Sequence, residues 1–273
     1  MGKFDNIIVV SDLDGTFFDD DSRPAKNNLD AVKYFTQNGG LFGFSSGRNA
    51  GILKEIIPEA VMLNNIPSIL SNGAYLYDFK TDTRTEELLL HTEKIKALTE
   101  EIEKRSSIVG FRWDSPEGFI TYNNQLLSEF DFKEYRNRFP EYSRDYVFSQ
   151  KLYKVVVCSD EKRIMQIKDY LPCLDDTSFS YTLTAPTSLE IMHCDATKGK
   201  ALTKLKNILG LPHATVYAMG DYDNDYDMLL AADVAVCPSN ALESIKQISD
   251  IVLCSNNQGL FDVLIKTIEK DIL

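Results

Sequence analysis

Residues Ile7–Phe18 read IIVVSDLDGTFF. Four consecutive β-branched side chains leave no polar face. Such a segment suits a strand covered on both sides, as in a parallel sheet. The run then ends in two carboxylates one residue apart, Asp12 and Asp14, followed by Gly15 and Thr16. In an open parallel sheet, ligands bind outside the carboxyl ends of the strands. Asp12 and Asp14 are therefore candidates for chemistry rather than turn residues alone. Where the chain leaves the strand, their spacing lets both meet one ligand. Gly15 permits a sharp exit that frees the Leu13 and Asp14 amides to approach a phosphate.

The surrounding pattern supports a parallel sheet. After the first strand, Pro24 suits a helix start. Leu29, Val32 and Phe35 share one face of that helix, and Gly39-Gly40 stops it. "LFGFSS" predicts a strand, "NAGILKEII" a helix and "SIL" a third strand before the turn "SNGA". Strand, helix, strand, helix, strand implies β-α-β units in one parallel sheet. "AYLYDFKTDTRTEELLL" reads as a hairpin with a polar turn. From His91 to Leu189 the pattern changes to helix 93–105, strands 108–113 and 118–122, and helix 126–138. Strand 152–158, helix 161–171 and strands 178–184 and 188–192 follow. Alternation returns with helix 198–209, the strands "TVYAMG", "VAVC" and "IVLC", and helices 240–248 and 259–272. The expected fold is α/β, a Rossmann-like parallel-sheet core of residues 1–83 and 190–273. An α+β module, 84–189, interrupts it, with hinges near Thr81–Glu87 and Pro186–Leu189.

Three strand ends of that core carry functional groups: Asp12 and Asp14, "SSGR" at Ser45–Arg48, and "GDYDND" at Gly220–Asp225. Crowded carboxylates repel, so they need a cation or must stay protonated. A hard divalent ion with oxygen ligands meets that need, and magnesium typically takes one or two carboxylates, waters and a substrate phosphate oxygen. One aspartate can then attack as a nucleophile while the other exchanges a proton. The formal net charge of −12 opposes binding to nucleic-acid phosphates. It leaves room for a small phosphorylated substrate held locally. No apolar run approaches the length of a membrane span. The short N-terminal run "IIVV" lacks the apolar core of a signal peptide, so a cytoplasmic protein is expected. The five cysteines form no C-x-x-C pair and read as reduced, packed thiols.

"DLDGT" resembles the first motif of the haloacid dehalogenase-like hydrolase superfamily. "SSGR", "TKGKAL" and "GDYDNDYDML" resemble the second, third and fourth motifs, in the expected order. "SNGA", "NALESIKQISD" and "NNQGLFDVL" resemble segments of the Cof-type branch, and the insertion resembles a C2-type cap. The resemblance implies a Mg²⁺-dependent phosphatase of small phosphate monoesters, such as sugar phosphates. In that scheme Asp12 becomes an aspartyl phosphate, and Asp14 protonates the leaving alcohol and then activates water. Asp12, the backbone carbonyl of Asp14, and Asp221 hold Mg²⁺. Ser46, Lys198 and the amides near Leu13 and Gly47 hold the phosphoryl group. Asn224 binds phosphate or orders the metal's waters, and Asp225 positions Lys198. Arg48 is a supporting residue that touches substrate, caps a helix or pairs with an acid. The expected partner is a small phosphorylated metabolite, with no nucleic acid or membrane, and the chain is expected to be a monomer or weak homodimer.

Two other functions use the same residues. A phosphomutase would pass the phosphoryl group to a second hydroxyl. A non-catalytic phosphometabolite-binding protein would not need an acid/base Asp14. Within the motifs, Lys200 competes with Lys198 for the cationic role, and motif position favours Lys198. "DYDNDYDMLLAA" spaces acids like a calcium loop, but Tyr226 and Ala232 stand where glycine and glutamate are needed. His91, His193 and His213 lack ligand spacing. Arg112, Trp113, Tyr153 and Lys154 are candidates for reading the leaving group, with ordinary strand packing as the simpler account. Phe17, Phe18 and Tyr222 depart from the common motif residues, and the phenylalanines are expected either under the cap or at its entrance.

Overall fold

A computed structural model describes residues 2–25, 27–106, 108–122, 141–174 and 177–272. The chain divides into two compact units, Met1–Glu86 with Thr197–Leu273, and Glu87–Ala196. The first unit opens with β1 (Ile7–Ser11), α1 (Asn28–Gln37), β2 (Leu41–Phe44), α2 (Ala50–Ile56) and α3 (Pro58–Val61). It continues with β3 (Ser68–Leu70), β4 (Tyr75–Asp78) and β5 (Thr83–Thr85). The second unit holds α4 (Thr92–Arg105), β6 (Gly110–Ser115), β7 (Gly118–Tyr122), α5 (Arg144–Ser149) and β8 (Lys154–Cys158). It ends with α6 (Glu161–Tyr170), β9 (Phe179–Ala185) and β10 (Ser188–His193). The chain then returns to the first unit through α7 (Lys198–Leu209), β11 (Thr215–Met219), α8 (Tyr226–Ala231) and β12 (Val234–Cys237). The last elements are α9 (Glu243–Ile248), β13 (Ile251–Val252) and α10 (Leu260–Ile272).

The central sheet of the first unit runs β13-β12-β11-β1-β2, and every pairing is parallel. β1 lies inside it, with Ser11 opposite Met219 on one side and Phe44 on the other. Residues that follow these three therefore emerge at one edge. Both faces of β1 are covered, as its unbroken branched run requires. Ile8 and Val10 pack among Ala201, Leu202 and Leu205 of α7 and Val216 and Ala218 of β11. Elsewhere in the unit lies an aromatic cluster. Phe42 sits 4.9 Å from Phe44 and 5.0 Å from Phe261, with Phe17 5.1 Å from Phe44, ring centre to ring centre. Phe17 and Phe18 are wholly buried. Phe17 belongs to the aromatic core of the first unit itself.

Three local expectations change. Pro24 does not start a helix; it bridges Phe18 in extended pairing, and α1 begins at Asn28. Asn28 is tied there because its side chain donates to Phe17 O at 2.8 Å and accepts from Phe261 N at 3.1 Å. β3 does not simply extend the parallel sheet. It pairs antiparallel with β4 and meets the chain after β2 through one parallel bridge, Ser45 to Ile69. The turn at Ser71, Asn72 and Gly73, with φ values of 48°, 54° and 93°, then reverses the chain and sets β4 antiparallel to β3. Helix α9 begins at Glu243, three residues later than expected.

In the second unit an antiparallel sheet, β7-β6-β8-β10-β9, buries one face against helices. Phe111, Trp113, Val155, Val157, Leu189 and Ile191 join Ile95, Leu98 and Ile102 of α4 and Ile164 and Ile167 of α6. Alternate residues point to the opposite face. Trp113 thus belongs to this apolar core, and Tyr153 is fully buried. Lys154 is 2% exposed and pairs with Glu190 at 2.9 Å and Asp114 at 3.7 Å. Arg112 lies over the Phe119 ring at 4.3 Å. Helix α5, capped by Ser143, was not legible in the sequence. The helix expected at 126–138 lies outside the described residues. The fold is α/β, with a parallel-sheet core and a second, antiparallel sheet in the inserted unit. Among the described residues, no helix is long and apolar enough to cross a membrane.

Candidate active site

Asp12, Lys198, Asp221 and Asp225 meet at the carboxyl edge of the parallel sheet. Asp12 follows β1 and its amide donates to Met219 O at 2.9 Å, so the neighbouring strand fixes its backbone. Asp221 follows β11 two residues beyond Met219. Lys198 enters from the first turn of α7, whose N-cap Thr197 accepts from Lys200 N at 3.2 Å. The Lys198 Nζ lies 2.6 Å from Asp12 Oδ1 and 2.6 Å from Asp225 Oδ1. Lys198 and Asp225 are almost completely buried, and Asp12 is 7% exposed. Lys200, the competing cation, is exposed.

Asp225 uses both carboxylate oxygens. Oδ1 holds Lys198, and Oδ2 accepts from the amides of Asp221 at 3.0 Å and Tyr222 at 3.3 Å. It therefore shapes the acidic loop as well as the lysine. Asp221 Oδ1 accepts from Thr16 Oγ1 at 2.8 Å. Tyr222 itself is 57% exposed. Side-chain oxygens of Asp12, Asp221 and Asp225 lie within 4.8 Å of one another. Three carboxylates face one ammonium, so the fully ionised cluster carries excess negative charge. Burial, then the charge of Asp225, pushes the Asp12 carboxyl well above its ordinary value against the pull of Lys198. Burial likewise pushes Asp221 to about 6, opposed by its bond from Thr16. Burial alone would pull the Lys198 ammonium down, but Asp12 and Asp225 outweigh it and raise it. This donor set fits a divalent cation: hard oxygens, crowded, and short of positive charge. Asp225 is already engaged by Lys198 and two amides, which leaves Asp12 and Asp221 as the side chains best able to hold an ion.

The Asp14 side chain takes another direction. Its carboxylate receives two bonds from Arg48, Nε to Oδ2 at 2.9 Å and a terminal nitrogen to Oδ1 at 2.6 Å. Ser46 is buried, and its Oγ accepts from Arg48 N at 3.1 Å, which leaves its own hydroxyl proton to donate elsewhere. Gly47 lies close to Asn72, and Asn224 donates to Asn72 Oδ1 at 3.2 Å. Leu13 is buried, and its carbonyl accepts from Phe18 N at 2.8 Å, closing the turn around Gly15.

Thr16, Asn72 and Asn240 were not singled out by the sequence. Asn240 donates to Gly15 O at 3.0 Å. The signals were present: Thr16 completes DLDGT, and Asn72 and Asn240 lie in "SNGA" and "SNALES". Gly15 has φ of 78°, and a Cβ there would lie 2.3 Å from Asp221 Oδ2. Gly15→Ala is therefore expected to lower stability by about 1–3 kcal/mol. Thermal unfolding reads this, and an unchanged midpoint would show that the turn can relax. In the second unit, His193, Cys194 and Asp195 also bring ligand atoms within 4.8 Å. They are consecutive and partly exposed, and His193 Nδ1 already accepts from Asp195 N at 3.1 Å.

Residues 9–264 match the family of haloacid dehalogenase-like hydrolases. The chain belongs to this family. It falls in the Cof-type branch, as its motifs imply. A candidate phosphatase of Bacillus subtilis, YxeH, is 26% identical to this hydrolase over 259 residues, covering 92% of this chain and 94% of its own. The 5-amino-6-(5-phospho-D-ribitylamino)uracil phosphatase YwtE of the same bacterium is 24% identical over 287 residues, covering 92% and 94%. The structure of a haloacid dehalogenase-like hydrolase from Bacteroides thetaiotaomicron matches with a TM-score of 0.83 at 20% identity. That match covers 96% of this hydrolase and 99% of the other chain, and shows a shared fold.

Proposed function

We propose that this hydrolase is a Mg²⁺-dependent phosphatase of small phosphate monoesters, working through an aspartyl phosphate on Asp12. The observation that carries the reading is the Lys198 ammonium held at 2.6 Å by both Asp12 and Asp225 at the carboxyl edge of the sheet. That arrangement places a nucleophilic carboxylate beside a fixed positive charge, which suits phosphoryl transfer, where positioning and charge stabilisation dominate. Asp12, Asp221 and the backbone carbonyl of Asp14 would hold Mg²⁺. When bound, the ion neutralises charge on the carboxylates and on the phosphoryl oxygens.

The protein's own residues divide the remaining work. Asp12 attacks phosphorus, the bond from phosphorus to the ester oxygen breaks, and that oxygen takes a proton from Asp14. Water then attacks phosphorus and gives a proton to Asp14, and the bond to Asp12 breaks, with its electron pair returning to the carboxylate. The sum is ester plus water giving alcohol plus phosphate. Lys198, the Ser46 hydroxyl and the amides near Leu13 and Gly47 hold the phosphoryl oxygens, and Asn224 binds phosphate or orders the metal's waters. Asp225 positions Lys198. The inserted unit is taken as the family's C2-type cap. The named activity of YwtE, directed at a phosphorylated ribityl chain, favours sugar phosphates or related polyol phosphates as substrates. The chain is read as cytoplasmic, and as a monomer or weak homodimer.

The test is phosphate release from a chromogenic aryl phosphate and from a panel of phosphorylated metabolites. The expected result is turnover with Mg²⁺ that a chelator removes. Folded protein that releases no phosphate from any of them would overturn the reading.

A further inference from the structure

Arg48 is held unusually well at its base. Its amide donates to Ser46 Oγ at 3.1 Å, and its carbonyl accepts from Ser71 N at 3.1 Å. The next residue, Asn49, caps α2 by accepting from Ile52 N at 3.0 Å. From this fixed loop the guanidinium reaches Asp14 and engages both carboxylate oxygens, at 2.9 and 2.6 Å. The two side chains are 28% and 52% exposed. An ion pair so exposed adds little to stability. Its geometry does something else: a planar fork on a planar carboxylate fixes the plane and direction of the acceptor.

Asp14 lies on the turn between Asp12 and Gly15, where φ changes sign. Its charge acts on Asp221, and its carboxylate oxygens are held by Arg48. We propose that Arg48 is a positioning residue for Asp14, aiming the carboxyl that exchanges a proton with the ester oxygen. This rests on the phosphatase reading above. When Asp14 carries the proton, one oxygen still accepts from the fork while the other donates. In the first step the phosphorus–oxygen bond breaks, its electron pair stays on the leaving oxygen, and the Asp14 proton forms the new O–H bond. In the second step the same carboxyl takes a proton from the attacking water. Ser46 links this device to the phosphate loop, because its hydroxyl oxygen holds the Arg48 amide. Lysine at position 48 would keep the charge but lose the fork.

The experiment compares an aryl phosphate, whose leaving group needs no proton, with an alkyl phosphate, whose leaving group does. In Arg48→Lys, the alkyl-to-aryl ratio of kcat/KM should fall about tenfold or more, part of the roughly hundredfold or greater contribution of a general acid. Asp14→Asn should shift the ratio in the same direction. The double variant should show the ratio of Asp14→Asn alone, because the two residues act as a unit. An unchanged ratio with KM raised equally for both substrates would make Arg48 a phosphate contact and overturn the inference. Wild-type protein inactive on both substrates would overturn the phosphatase reading, and this inference with it.

Discussion

Asp12→Asn should reduce phosphate release by about ten-thousandfold or more, the scale seen when a covalent nucleophile is removed. The expected loss lies in kcat, because the phosphate-holding groups Lys198 and Ser46 remain. The fold should survive. The amide oxygen can still accept from Lys198, which also keeps its 2.6 Å bond to Asp225. The substitution also removes one of three crowded carboxylates, whose repulsion contributes to the raised Asp12 carboxyl. Thermal unfolding should therefore stay near wild type while turnover disappears. Turnover retained at a tenth of wild type or more would contradict the assignment of Asp12.

Lys198→Met should damage both activity and stability. The ammonium is buried between two carboxylates, with Asp221 close by. Methionine fills similar space but leaves the acids without their cation. Breaking one side of a buried charge pair costs about 3–5 kcal/mol. Activity should also fall by about a hundredfold or more, as when one donor to a developing charge is lost. Added Mg²⁺ should restore part of the stability, because an ion bound only by the folded state shifts unfolding by mass action. Denaturant unfolding with and without Mg²⁺ checks both parts. Wild-type stability without Mg²⁺ would show that the acids are protonated or hydrated and do not depend on Lys198.

Much of the site was readable because its residues occupy strand ends. β1 announced itself through "IIVV", and a parallel sheet brings the residue after each strand to the same edge. Asp12, Ser46 and Asp221 follow three neighbouring strands whose register aligns Ser11 with Phe44 and Met219. What stayed hidden depends on side-chain direction. No spacing rule separates the paths of Asp14 and Asp12, yet one reaches Arg48 and the other Lys198. Phe17 and Phe18 could not be placed either, because a turn can send an aromatic side chain outward or into the core. The ring cluster of Phe42, Phe44 and Phe261 decides this for Phe17, and its members lie far apart in sequence. What the turn "SNGA" did not reveal is that β3 meets the chain after β2 through a single parallel bridge and takes β4 as its antiparallel ladder partner.

The central claim is a covalent intermediate on Asp12, and the stereochemical course at phosphorus tests it most directly. An aryl phosphorothioate made chiral at phosphorus with ¹⁶O and ¹⁸O is hydrolysed by wild-type protein in ¹⁷O-labelled water, and the configuration of the released inorganic thiophosphate is read. Two successive in-line displacements, first by Asp12 and then by water, predict overall retention. Inversion would mean a single attack by water and would contradict the account.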